Sequence, residues 1–364
     1  MALSQVRESA SELAALLERA AAGGRLSPAE GLRLFTEADL LELGAAADAR
    51  RAALHPEGQV TFILDRNINY TNVCNVYCKF CAFYRAPGKA DTYVLTREEL
   101  AQKIEETLAV GGTLILMQGG VHPDLQIDWY EALLAWIKAN YAIHVHGFSP
   151  IEIRRIAEFS GLDLETTIRR LVAAGLDSIP GGGAEILVDR VRQKVSPLKD
   201  SADEWLEVME TAHRLGLRTT ATMMFGHVET PAEIVEHLER LRQLQDRTGG
   251  FTAFIPWTFQ PDHTHLHTPR ATAVEYLRVL ALSRLYLDNF ANLQLSYVTM
   301  GAKIGQVAMR FGANDFGSLM LEENVVSQAG AKFLMERGEI ERLIRDAGFT
   351  PVLRNQRYEL LAVL

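Results

Sequence analysis

The chain has 364 residues, with 37 lysines and arginines against 46 aspartates and glutamates, for a net charge of −9. That length suits one complete α/β barrel with short extensions, and the acidic balance offers no footprint for a phosphate backbone or an anionic membrane, so nucleic acid is not expected as a partner. The N-terminal stretch scatters charges through its apolar positions and no later run is apolar enough to span a bilayer, so the expectation is a cytoplasmic protein without membrane insertion.

Residues 4–22 and 38–53 carry leucine and alanine at three-to-four spacing, the pattern of amphipathic helices, which predicts a helical N-terminal cap over residues 1–57. From Val60 onward short apolar runs alternate with longer amphipathic stretches, and Gly or Pro marks the joins. Strands are predicted near 62–70, 113–118, 142–147, 176–179, 218–225, 251–256, 293–298 and 310–316. Helices are predicted over 96–109, 127–139, 203–214, 231–246 and 272–288. Eight strands alternating with helices predict an α/β fold, a single (β/α)8 TIM-type barrel over residues 58–325, with 326–364 as a helical C-terminal extension packed on it. Gly312 and Gly317 interrupt the last strand pattern, which leaves an open or incomplete barrel as the alternative. In such a barrel the loops at the C-terminal strand ends carry the chemistry.

The three cysteines, Cys74, Cys78 and Cys81, all fall within eight residues of the loop after the first strand. Their C-x3-C-x2-C spacing lets one loop wrap three thiolates around three corners of a 4Fe-4S cubane and leave the fourth iron open for the amino and carboxylate groups of S-adenosylmethionine (SAM). A structural zinc site normally wants four ligands, and there is no fourth cysteine.

This spacing resembles the radical SAM superfamily, and Phe80 matches its aromatic position before the last cysteine. The segments 65–85, QGGVHPDL (118–125), HVHGFSPIEI (144–153), PGGGAEIL (180–187), TMMFGHVET (222–230), FIPWTFQPDHT (254–264) and GANDFGSLMLEENV (312–325) resemble its menaquinone and deazaflavin branch. Within that branch ILDRNINYTNVC (63–74), with Asp65, Arg66 and Tyr70, is most similar to the cyclases of dehypoxanthine futalosine; aminofutalosine synthases and deazaflavin synthases are the alternatives. The resemblance implies a radical SAM barrel that takes a 4Fe-4S cluster and SAM, acts on a small molecule, and accepts electrons from a reductant such as flavodoxin or ferredoxin. It also implies that Phe80 lies beside the adenine.

Gln118, Gly119 and Gly120 close the second strand where the superfamily has a Gly-Gly-Glu motif whose backbone receives the SAM amino group, although Val121 stands at the glutamate position. A glycine pair also makes a plain turn. Gly181 and Gly182, in Pro180–Glu185, lack the lysine of a phosphate loop and are read as bringing backbone and the Glu185 carboxylate towards SAM or substrate hydroxyls; a solvated helix-start glutamate is the other reading. His227, ahead of Glu229, is a candidate proton acceptor or substrate donor, or a structural histidine. His263, His265 and His267 sit in a loop bracketed by prolines, a poor frame for a mononuclear metal. Arg66, Arg85 and Arg310 adjoin strand ends and are the candidate cations for a substrate carboxylate, Arg66 being taken with Glu185 and His227 as catalytic.

Overall fold

The computed structural model describes residues 2–331 and 333–364, with side chains from Ser11 onward. Its strands are β1 (Gln59–Ile63), β2 (Asp65–Ile68), β3 (Leu114–Met117), β4 (His144–Gly147), β5 (Ser178–Ile179), β6 (Arg218–Phe225), β7 (Phe251–Thr258), β8 (Asn292–Leu293), β9 (Asp315–Ser318), β10 (Thr350–Arg354) and β11 (Leu360–Val363). Strands β2 to β8 form one parallel sheet in sequence order. β9 closes the curl: Gln294 bridges to Asp315 on one side, and β9 pairs in parallel with β1, the first half of the strand that continues as β2, on the other. The ring is therefore a TIM-type (β/α)8 barrel.

Between strands the helices start where the sequence provides reciprocal caps. Thr96 with Glu99, Ser201 with Glu204, Thr230 with Glu233 and Thr272 with Glu275 each form a capping box, satisfying backbone N–H groups that the first turn would otherwise leave open. The N-terminal helices Pro28–Glu37 and Leu40–Leu54 lie on the outer flank, where Gly31 rests against the Tyr286 ring and the Arg242 guanidinium donates to the Leu26 carbonyl.

The C-terminal stretch contains the expected helix, Arg337–Asp346, but goes on into β10 and β11, which the sequence pattern did not signal. β10 pairs in parallel with β1 from Gln59↔Thr350 to Phe62↔Leu353. β1 thus has β9 on one edge and β10 on the other, below the point where β2 takes up β3. Arg354 is buried there in an ion pair with Asp315, and its guanidinium stacks 4.0 Å from the centroid of Tyr358. This segment forms part of the barrel floor. The predicted strand 310–316 begins instead as a 3-10 turn, Met309–Phe311, because Gly312 takes a φ of 100° before β9 starts at Asp315. The predicted strand 293–298 ends early, since Tyr297 already opens the helix Tyr297–Ala308.

Candidate active site

The cysteine loop leaves the C-terminal end of β2 and is tied down all along its length. Cys74 N–H donates to the Arg85 carbonyl at 2.9 Å, Lys79 N–H to the Val195 carbonyl at 2.8 Å, and the Lys79 carbonyl accepts from His265 N–H at 2.8 Å. The histidine-rich loop therefore buttresses the cysteine loop by its backbone. The three thiols share one small apolar cluster with Val76, Phe80, Val121, Ile151 and Phe159, and none is in a disulfide. Burial pushes the Cys78 thiol up to about 12. Cys81 is also raised by burial, although the amides of Tyr84 and Phe83 point at its sulfur and oppose the rise. Among the described residues no three His, Cys, Asp or Glu side chains gather around a point for a single metal ion. Three thiols in one apolar pocket, backed by amide donors, fit the three corners of a cubane, whose thiolates stand farther apart than the ligands of one ion.

Gly119 and Gly120 carry this loop on β3. A β-carbon on Gly120 would lie 2.1 Å from the Val73 carbonyl oxygen and 3.0 Å from the Cys74 β-carbon, and one on Gly119 would lie 2.8 Å from the Tyr70 ring. Their amides are engaged within the protein: Gly120 N–H donates to the Thr71 carbonyl at 2.9 Å, and Gly119 N–H to Glu152 at 3.0 Å. The turn can thus offer an ammonium group its carbonyl oxygens. Glu152, which sequence reasoning missed, also caps its own helix through Ser149 and accepts from the Tyr70 hydroxyl at 2.7 Å.

Glu185 is buried with a φ of 41°, and Lys199 donates to its Oε1 at 3.0 Å while Arg192 stands 3.8 Å from Oε2. That second oxygen has no hydrogen-bond partner among the described residues. Lys199 lies 5.3 Å over the Phe80 ring, and although burial pulls its ammonium down, the Glu185 carboxylate leads the groups that hold it above the ordinary range. Phe80, Glu185 and Lys199 therefore stand together beside the cysteines. Lys199 gave no signal in sequence, because a lone lysine in a loop carries no pattern of its own.

The inside of the barrel holds a cavity of about 270 Å³. Leu116, Ile255 and Trp257 give it apolar walls, while Asn67, Thr222 and Thr299 give it hydrogen-bonding groups. Gln118, Gly181 and Gly182 line it as well, with the Gln118 amide filling the space that a β-carbon on Gly182 would need. Asp65 and Asn67 face this cavity, and burial raises Asp65 to about 6.

Arg66 does not face the cavity. Strand alternation turns it outward, where it donates to Glu106 at 2.7 Å and lies 3.8 Å from Glu322. His227 is also away from the cavity lining: its side chain is fully enclosed, with Nδ1 2.9 Å from Glu229 and Nε2 3.0 Å from the Met224 carbonyl. Glu229 is pushed up by burial, but the His227 ring and the Gly226 amide outweigh that and hold it down at about 2. Arg85 pairs with Asp91 and the carbonyls of its own loop, and Arg310 lies over Phe349. The arginine that lines the cavity is Arg354, in its pair with Asp315.

With this geometry in place, two family models match the chain: the radical SAM superfamily over residues 68–241 and the CofH/MqnC C-terminal region over residues 248–364. A cyclic dehypoxanthine futalosine synthase of Halalkalibacterium halodurans is 48% identical over 95% of this chain and 94% of that protein. The chain belongs to the radical SAM superfamily. A synthase of the same name from Streptomyces coelicolor is 48% identical over 97% of this chain and 90% of that protein. A 5-amino-6-(D-ribitylamino)uracil–L-tyrosine 4-hydroxyphenyl transferase of Methanopyrus kandleri is 40% identical over 93% of this chain and 91% of that protein. Among solved structures, the [FeFe]-hydrogenase maturase HydG matches with a TM-score of 0.74 at 16% identity over 98% of this chain and 79% of that one. Methylornithine synthase matches with a TM-score of 0.71 at 17% identity over 92% and 97%. As a radical SAM enzyme the chain takes a 4Fe-4S cluster and SAM and works on a small molecule. Among the described residues no helix is long and apolar enough to cross a membrane.

Proposed function

We propose that the chain closes dehypoxanthine futalosine into cyclic dehypoxanthine futalosine. The observation that carries this reading is the near-complete, 48% identity to two synthases of that name. Cys74, Cys78 and Cys81 would hold the cluster, which when bound would supply the electron for splitting SAM into methionine and a 5'-deoxyadenosyl radical. The protein's own part is to place and to enclose.

In this reading the Gly119–Gly120 carbonyls receive the SAM amino group, Lys199 and Glu185 supply charge and hydrogen-bonding capacity at the rim, and Phe80 packs beside the adenine. The cavity's apolar walls suit an aromatic ring, and its Asn, Gln and Thr side chains suit a ribose. Confinement selects the ribose C4' hydrogen for abstraction, because a primary carbon radical attacks any C–H bond in reach. The C4' radical then adds to the aromatic ring, and loss of one electron and one proton restores aromaticity. A reductant such as flavodoxin or ferredoxin, met in the cytoplasm, belongs to the same reading.

Substrate deuterated at C4' tests it on anaerobic holoenzyme. The released 5'-deoxyadenosine should gain one deuterium per turnover. Product without deuterium transfer rules out C4' abstraction, and adenosyl carbon appearing inside the product moves the chain to the aminofutalosine synthases.

A further inference from the structure

Ring closure leaves one proton over. SAM and two substrate hydrogens become methionine, 5'-deoxyadenosine and a closed ring: one hydrogen goes to the adenosyl carbon, and the other leaves the aromatic carbon as H⁺. Its electron passes to a one-electron acceptor such as an oxidised iron–sulfur cluster. The proton appears inside a cavity that must keep water and stray C–H donors from a radical, so it needs an exit that is not an open channel.

Two histidines of one strand meet through a serine beneath that cavity. His146 is buried and lines the cavity, whereas His144, two residues earlier on β4, lines a separate cavity of about 260 Å³ at the N-terminal end of the barrel. Ser178 of β5 is in register with His146 and sets its hydroxyl 2.6 Å from His146 Nδ1 and 2.7 Å from His144 Nε2. A hydroxyl has one hydrogen, so it donates to one ring and accepts from the other. On the inner side Gln356 Nε2 lies 3.2 Å and Thr220 Oγ1 3.5 Å from His146 Nε2. Gln356 lines both cavities and so helps to form the partition between them. The outer cavity opens between the exposed Arg218 and Arg357.

We propose that His146, Ser178 and His144 form a proton relay through the barrel floor, carrying the proton of ring closure from the substrate cavity to solvent at the face opposite the cysteine loop. This rests on the cyclase reading. The aromatic proton goes to His146 Nε2, the Nδ1 hydrogen passes to Ser178 Oγ, the serine hydrogen passes to His144 Nε2, and the other ring nitrogen of His144 gives a hydrogen to water. Once product leaves and water fills the cavity, the same transfers run in reverse, water protonating His144 and taking the His146 Nε2 hydrogen, which restores both tautomers and the orientation of the hydroxyl. Burial holds both rings neutral at pH 7, ready to accept a proton and unable to keep it: His146 is pushed well down by burial, then by His144 and Arg354, and His144 to about 4 by burial, with Asp177 opposing and Lys138 and Arg357 assisting.

The test uses anaerobic holoenzyme with SAM and synthetic dehypoxanthine futalosine, and reads the ratio of 5'-deoxyadenosine to cyclised product. In Ser178→Ala, 5'-deoxyadenosine release should persist while cyclised product falls about a hundredfold, the lower end of what a positioned acid–base group contributes. Ser178→Thr keeps the hydroxyl and should restore the ratio. His144→Ala, at the solvent end, should show the same uncoupling and be rescued by added imidazoles in order of their basicity. This response separates proton transfer from mere packing and stands even if the serine variant does not fold. An unchanged ratio in both variants overturns the relay, as does a loss that neither threonine nor imidazole repairs. Uncoupling in Asp65→Asn alone also overturns it and gives the proton to that carboxylate. Wild-type enzyme that forms no cyclised product overturns the cyclase reading instead, and the relay with it.

Discussion

A β-carbon at Gly120 would sit 2.1 Å from the Val73 carbonyl oxygen, in the segment that delivers Cys74. Gly120→Val therefore has to push the cysteine loop before it can touch any ligand. Iron content and SAM affinity should fall together in that variant, both measured on anaerobically reconstituted protein. Full iron content with weakened SAM binding would mean that the loop gives way and only the ligand is displaced. The cysteines themselves were readable because they are three in 364 residues and lie within eight of each other. Glu152, Lys199 and Ser178 were not, since each acquires its role from a partner that the sequence does not name: Gly119 for the first, Glu185 for the second, two imidazoles for the third. Arg66 misled for the same reason in reverse. Its place in a strand-end motif was visible, but which way alternation would turn it was not, and Asp65 and Asn67 hold the inward positions.

Elements are joined across their ends by groups of the same kind, and His213 shows what this does to stability. It ends the helix Ala202–Arg214 and sets Nδ1 2.7 Å from Thr248 Oγ1 in the next helix and Nε2 2.7 Å from Thr219 Oγ1 on β6, with its ring edge on Phe251 of β7. Burial, then Arg218, pushes its pKa to about 4. The unfolded chain takes up the proton near 6.5 and the folded chain does not, so this contribution is complete above pH 6.5 and is lost as pH falls towards 4. At pH 5 the loss from His213 is about 2 kcal/mol, from the pKa difference alone. Urea denaturation at pH 7.5 and pH 5 should show a falling midpoint, and His213→Gln should fall less. The alternation of strand and helix was legible because period-two and period-3.6 patterns are written locally: the helices Arg97–Ala109, Ile127–Asn140, Ala202–Arg214, Pro231–Thr248 and Ala273–Tyr286 begin and end close to where that pattern put them, whereas Pro150–Phe159, Leu164–Ala174 and Asp189–Val195 were not among the predicted helices. β10 and β11 were not legible. They are short, follow a helix, and become strands only because β1 has a free edge for β10 to fill.

On the scale of the whole molecule, closure depends on two late segments, β9 sealing the ring and β10 with Arg354 filling the floor. Arg354 and Asp315 are both buried, so Arg354→Met leaves a carboxylate without its partner while keeping much of the side-chain volume. The variant should lose about 3 kcal/mol or more, read as a lower urea midpoint, and Asp315→Asn combined with it should recover part of the loss by removing the stranded charge. No recovery in the double variant would mean that the guanidinium matters through Tyr358 and Gln294 and not through Asp315. The pairing of Gln59 with Thr350 has a further meaning in time. During synthesis β1 leaves the ribosome well before β10, so the edge of β1 that β10 will cover stands open to other chains while the segments between them are made. The cysteine loop, the mouth and most of the wall can be in place during that interval. It is the arrival of β10 that shuts the reaction chamber from below.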